Sequence, residues 1–161
     1  MTIEFVILVN KQGETRLSYF LHHIPLDLRG ALESEAARKC LHRREGDCSF
    51  VDHLHYKLIY RRYASLYFIV GVDNTPRQST IASYDIFQEN ELSIMEFIQA
   101  VMETFDTYFE SACELDLMYN SEKAYFILEE MLSNGRIAEM NVHNVLQPIF
   151  VMDCDNPVPQ I

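Results

Sequence analysis

The sequence predicts an α+β domain, an antiparallel sheet with helices packed against it. Three observations carry that prediction. Residues 2–10 and 56–72 are rich in Ile, Val, Leu, Phe and Tyr, which is strand composition. Residues 90–109 place Leu92, Met95, Ile98, Met102, Phe105 and Phe109 at three- and four-residue steps, the spacing of one helix face. Asn10-Lys11-Gln12-Gly13 interrupts the first run with turn formers, so the chain returns antiparallel. A chain of 161 residues, 48% apolar, is long enough for one well-buried domain and argues against global disorder. The expected organisation is one domain over 1–150, a long loop at 73–90 and a flexible tail at 151–161.

The elements follow in order. The first strand, 2–10, is apolar on both faces, with Ile3, Phe5, Ile7 and Val9 on one side and Val6 and Leu8 on the other. Such a strand belongs at the centre of a covered sheet. Residues 15–21 return as its hairpin partner. Asp27 caps a helix to about Leu41, with Leu28, Ala31, Leu32, Ala36 and Cys40 as its stripe. Residues 49–52 form a short strand. Residues 56–60 and 66–72 pair antiparallel about a tight turn at 61–64; Arg61 and Arg62 at that junction read first as solvated turn residues or as an intramolecular pair to the acidic half, and second as a partner-facing rim. Turn formers fill 73–80, and 81–87 is at most a short extra element. The long helix at 90–109 widens its apolar face with Ile94, Phe97 and Val101 and should lie on the sheet.

Beyond it, Glu114 and Asp116 alternate with Leu115 and Leu117, which reads as a half-buried extended segment. Asn120 or Ser121 caps another helix facing Ala124, Ile127, Leu128 and Met131 inward, and Asn134-Gly135 stops it. A last short helix spans 142–147 or slightly beyond, with Pro148 ending or kinking it, and the tail frays.

Charge narrows the function. The net charge is −11, but it is uneven: residues 1–62 hold ten Lys or Arg against eight Asp or Glu, and the remainder three against sixteen. The acidic half makes a nucleic-acid partner a poor reading, and it disfavours unaided binding to an anionic membrane. No run of 18 uncharged apolar residues is present, and the start reads as a first strand, so a cytoplasmic location is expected. Cys40, Cys48, Cys113 and Cys154 lack zinc-site spacing and read as reduced thiols.

No catalytic constellation emerges. The five glycines make no phosphate-binding fingerprint. His22-His23 and the pair His53 and His55 are the strongest metal candidates, and ordinary edge histidines explain them better. Glu114 and Asp116 as paired carboxylates are better explained as an acidic face. The sequence thus predicts no enzyme, cofactor or metal. It predicts binding, with Leu66 and Phe68 on one face of their strand and Tyr67 and Ile69 on the other.

Several longer segments resemble the small, or sigma, chain of the heterotetrameric adaptor-protein complexes of vesicle coats. They are Val9 to Leu17, Lys57 to Phe68, Cys113 to Asn120 and Glu122 to Met131, and the likeness extends over about residues 2–150. Val9 to Gly13, Cys48 to Phe50, Val70 to Val72 and Asn134-Gly135 look like the small chain of the fourth adaptor. The stretch at 121–130 looks more like that of the first. The resemblance implies a longin-like fold, with a five-stranded antiparallel sheet flanked by helices, and no catalytic activity. It also implies two large adaptin chains and one medium chain as partners, membrane contact through the complex, and the cytosolic face of the trans-Golgi network, endosomes or coated vesicles.

In relatives that read acidic dileucine sorting signals, the small chain provides apolar pockets and an arginine for the signal's acidic side. The matching positions are Arg16 for the charge and Ala64, Leu66, Met102, Ala112 and Leu117 for the pockets, with Arg16 solvated until cargo arrives. A ligand leucine buried there contributes roughly 1.5–3 kcal/mol before entropy costs. Met102 and Ser111 stand where signal readers commonly have Val and Asn, and the 73–90 region is longer than the usual connection. The alternative is a standalone longin-like regulatory domain of a membrane-fusion or small-GTPase system. Such a chain is expected to carry a heptad run, and the sequence shows none.

Overall fold

The computed structural model describes residues 1–74 and 90–155. The predicted loop and the short element at 81–87 therefore lie outside the described residues, apart from the ends of the loop. Strand β1 (Ile3–Asn10) pairs antiparallel with β2 (Thr15–Phe20) on one side and β5 (Leu66–Asp73) on the other. Strand β4 (Tyr56–Tyr63) follows β5, and β3 (Phe50–His53) forms the far edge, giving the order β2-β1-β5-β4-β3. The strand buried on both faces, β1, is thus central, as its apolar pattern requires.

The two sheet faces hold separate cores. Phe5, Ile7, Val9, Leu58, Tyr60 and Ile69 pack with Ala36, Ala37 and Cys40 of helix α1 (Leu26–Leu41). Val6, Leu8, Leu66, Phe68, Val70 and Val72 pack beneath α2 (Glu91–Phe109), α4 (Ser121–Met131) and α5 (Val142–Asp155). Ile3 joins this second core instead of the face it was expected to share with Phe5. A register shift between Ile3 and Phe5 breaks the strict alternation, as a bulge does. Gly71 lies opposite Phe5 because the phenyl ring fills its place: a Cβ there would stand 2.1 Å from the ring.

Several boundaries differ from expectation. Helix α1 begins at Leu26 behind Pro25, and its buried residues are Ala36, Ala37 and Cys40, with Leu32 partly buried against the same core; Leu26 and Leu28 are exposed. Leu92 also points to solvent, while Asn90 caps α2 by accepting from the Ser93 amide at 2.8 Å. Arg61 and Arg62 lie within β4, and the turn is Ala64-Ser65, with Ala64 at φ 50°. The segment expected to be extended is helix α3 (Glu114–Tyr119), which turns Leu117 into the core and leaves Leu115 outside. Over so few residues, alternation and one helical turn give the same leucine spacing.

Asn134-Gly135 is not a helix cap. It is the turn of a small hairpin, β6 (Leu132–Ser133) with β7 (Arg136–Ile137), with φ of 53° and 75°. Paired positive φ values are what a tight hairpin turn demands. The Gly135 carbonyl accepts from Ile3 N at 2.8 Å, and a Cβ would come within 2.8 Å of the Ile3 carbonyl. Finally, α5 continues through Pro148 to Asp155, so 151–155 are helical. Its end is secured by Asp153, which accepts from Tyr108 Oη at 2.8 Å and pairs with Lys123.

Candidate functional site

The first hairpin builds a closed polar ring. Asn10, 2% exposed, ends β1, and its Oδ1 accepts from the backbone amides of Gln12 at 3.0 Å and Glu14 at 2.9 Å. Those two bonds fix the turn and orient the side-chain amide, which donates from Nδ2 to Glu14 Oε2 at 2.8 Å and to Glu114 Oε1 at 3.1 Å. Arg16, the second residue of β2, closes the ring. Its Nε donates to Glu114 Oε1 and its Nη2 to Glu14 Oε2, each at 2.6 Å. The Asn10 amide and the Arg16 guanidinium hold the Glu114 carboxyl below the usual carboxylate range.

Arg16 is therefore not the solvated cation expected from sequence. Its side chain is only 20% exposed, and two carboxylates meet it. The reason is the helical start of α3: Glu114, as its first residue, is brought back to the hairpin from 98 residues away. Sequence reasoning weighed Glu114 only against Asp116 and missed Asn10 and Glu14. The one available signal was Asn10 at the head of a turn, whose short amide favours such local bonds.

The apolar candidates lie on the same side of the sheet, within its larger core. Leu66 is the register partner of Asn10 across β1 and β5. Leu66, Met102 and Leu117 belong to one buried cluster, with exposures of 4%, 4% and 0%, and half-buried Ala112 packs against it. Ala64 stands exposed at the hairpin tip. Its neighbour Tyr63 donates to Asp106 Oδ2 at 2.6 Å, and Asp106 Oδ1 accepts from the Ala112 amide at 3.1 Å. This clasp ties the β4–β5 tip to the α2–α3 connection, where Glu110 and Ser111 both have positive φ, 53° and 82°.

Arg61 and Arg62 are both exposed. Arg62 Nη1 meets exposed Glu45 at 3.0 Å, and its Nε donates to the Ala64 carbonyl at 3.4 Å. Arg61 lines a groove of about 420 Å³ with Leu92, Met95, Glu96, Glu103 and Met140. The proposed histidine pair separates: His53 is buried 3.2 Å from Glu35, while His55 is exposed and its ring meets that of Tyr56 at a tilt. Among the described residues, no group of three or more His, Cys, Asp or Glu is placed to hold a metal.

Comparison with known proteins adds an independent line. The family model of the clathrin adaptor complex small chain matches residues 2–156. The AP-4 complex subunit sigma of Arabidopsis thaliana is 50% identical over 153 residues, covering 95% of this chain and 98% of that one. The AP-1 complex subunit sigma-1 of Schizosaccharomyces pombe is 34% identical over 156 residues, covering 97% and 88%. Among solved structures, a chain from a homology model of the full-length AP-3 complex in a stretched open conformation superposes with a TM-score of 0.71. It is 26% identical and covers 95% of this chain and 94% of that one.

Proposed function

Because the chain belongs to the clathrin adaptor complex small chain family, we propose that it is the sigma subunit of an AP-4 complex and works in vesicle transport by assembly, not catalysis. The observation that carries this reading is full-length likeness: 50% identity to an AP-4 sigma chain against 34% to an AP-1 sigma chain, with nearly all of this chain covered in both. Two large adaptin chains and a medium chain are its partners. They bring it to the cytosolic face of the trans-Golgi network, endosomes or coated vesicles. No helix among the described residues is long and apolar enough to cross a membrane.

Within that complex, the surface formed by Arg16, Ala64, Leu66, Met102, Ala112 and Leu117 receives the acidic and dileucine parts of a sorting signal. The burial of Leu66, Met102 and Leu117 means that the leucines enter only if neighbouring groups give way. The α2–α3 connection, pinned through Asp106 and Ala112, is one such element.

Co-expression with the large chains of AP-4 and, separately, of AP-1, followed by size-exclusion chromatography, tests the assignment. The expected result is stable co-elution with an AP-4 large chain. A stable monomer joining neither set would sink the reading, and co-elution with AP-1 chains alone would reassign the complex.

A further inference from the structure

We propose that Glu114, assisted by Glu14, is a built-in acidic occupant of Arg16 and sets how weakly this chain accepts an acidic segment. The inference rests on the signal-binding reading above, but its grounds are geometric. Nε and Nη2 form the edge of a guanidinium that grips a carboxylate with two parallel bonds. In this chain that edge is already used: Nε by Glu114 and Nη2 by Glu14, both at 2.6 Å. Each glutamate oxygen is held a second time by the Asn10 amide, at 3.1 Å and 2.8 Å. Asn10 itself is locked by two backbone amides and is almost fully buried.

Charge points the same way as geometry. One guanidinium faces two carboxylates, so the ring as a whole carries a negative charge. An acidic side chain approaching it meets net repulsion and must displace Glu114 or Glu14 before it gains a paired contact. Glu14 is the easier to displace, since its side chain is 62% exposed against 27% for Glu114. Glu114 is therefore the specificity-determining residue.

The ring also adjoins the apolar cluster. Asn10 pairs in register with Leu66, and Glu114 lies in the same short helix as Leu117. Release of Glu114 loosens the start of α3, so an acidic group at Arg16 and a leucine beside Leu117 are accepted together.

The test uses the assembled complex and two fluorescent peptides, one Asp/Glu-x-x-x-Leu-Leu/Ile and one with the acidic residue replaced by a neutral amide. Glu114→Gln keeps the acceptor oxygen for Asn10 and Arg16 while removing the charge. It is expected to tighten the acidic peptide by about tenfold, the scale of one charge-assisted contact, and to leave the neutral peptide unchanged. Adding Arg16→Gln should abolish the gain. Phenylglyoxal modification, mapped by mass spectrometry, gives a second readout: Arg16 should react faster in the Glu114→Gln complex than in the parent complex. Equal acidic-peptide affinity in the parent and Glu114→Gln complexes, or equal tightening of both peptides, overturns the proposal. Because the complex has assembled in that experiment, such a result leaves the subunit assignment standing.

Discussion

Two arginine-bearing hairpins of this chain treat their charges in opposite ways. In the β1–β2 hairpin, Arg16 is four-fifths covered and meets two glutamates and, through them, a buried asparagine. In the β4–β5 hairpin, Arg61 and Arg62 stand exposed at the end of a strand, and Arg62's acidic partner, Glu45, is 90% exposed. Solvent screens an exposed pair and leaves it nearly neutral for stability. A sheltered ring with a buried amide at its hub constrains the backbone. The first hairpin is thus built to hold its charge, and the second to present it.

The largest test of that contrast is Asn10→Ala. The substitution removes an acceptor from two backbone amides and a donor from two glutamates. Gln12 and Glu14 are exposed, so water can replace part of what is lost, and each bond removed costs about 0.5–1.5 kcal/mol. The expected outcome in the assembled complex is faster hydrogen exchange through β1 and β2, with β3 and β4 unchanged. If β1 and β2 keep their full protection, the ring is ornamental and the contrast fails.

What could be read from the sequence divides along the same line. Strands β1, β2, β4 and β5 were legible as β-branched and aromatic runs set off by turn formers, and helices α2 and α4 because apolar residues recur along them at helical spacing. Ala124, Ile127, Leu128 and Met131 all face inward as their spacing requires. Helix α3 was not legible, because six residues hold too little period to separate it from a strand. Nor was the end of α5, which depends on Asp153 meeting Tyr108, 45 residues away, and Lys123, 30 residues away. The choice of Leu66, Met102, Ala112 and Leu117 came through a family resemblance, and all four belong to or pack against the larger core of the sheet. The ring around Arg16 lay beyond local reasoning, since Glu114 reaches Asn10 across 104 residues.

A second test follows from Glu114, whose pKa is lowered by bonds from Asn10 and Arg16. A carboxyl with a depressed folded value stabilises the fold fully above its unfolded value, about 4.3, and loses that contribution as pH falls through the folded value. Between pH 7 and 5 the ring should therefore stay intact. Carbon-detected NMR of labelled glutamate should place the Glu114 midpoint below an ordinary Glu, and Arg16→Gln should move it upward. A midpoint at the ordinary value would mean that the carboxyl gains nothing from its partners, and the sheltered side of the comparison would collapse.

The smallest effect on the fold is expected from the exposed hairpin. Arg61→Ala and Arg62→Ala remove no buried partner, so each should change the stability of the chain by no more than about 0.5 kcal/mol. Their consequence should instead fall on assembly. Arg61 faces a groove whose walls carry Leu92, Met95 and Met140 beside Glu96 and Glu103. A partner carboxylate reaching Arg61 would gain steering more than net affinity, since rim charges act mainly on association rate. The double variant should therefore join the large chain more slowly at low salt, by about threefold, and the difference should shrink as ionic strength rises. Stopped-flow association at two salt concentrations measures both. An equal rate for the parent and the double variant at low salt would show that this hairpin presents its charge to no assembly partner. Arg61 and Arg62 would then be solvated strand-end residues, and the second half of the contrast would reduce to exposure alone.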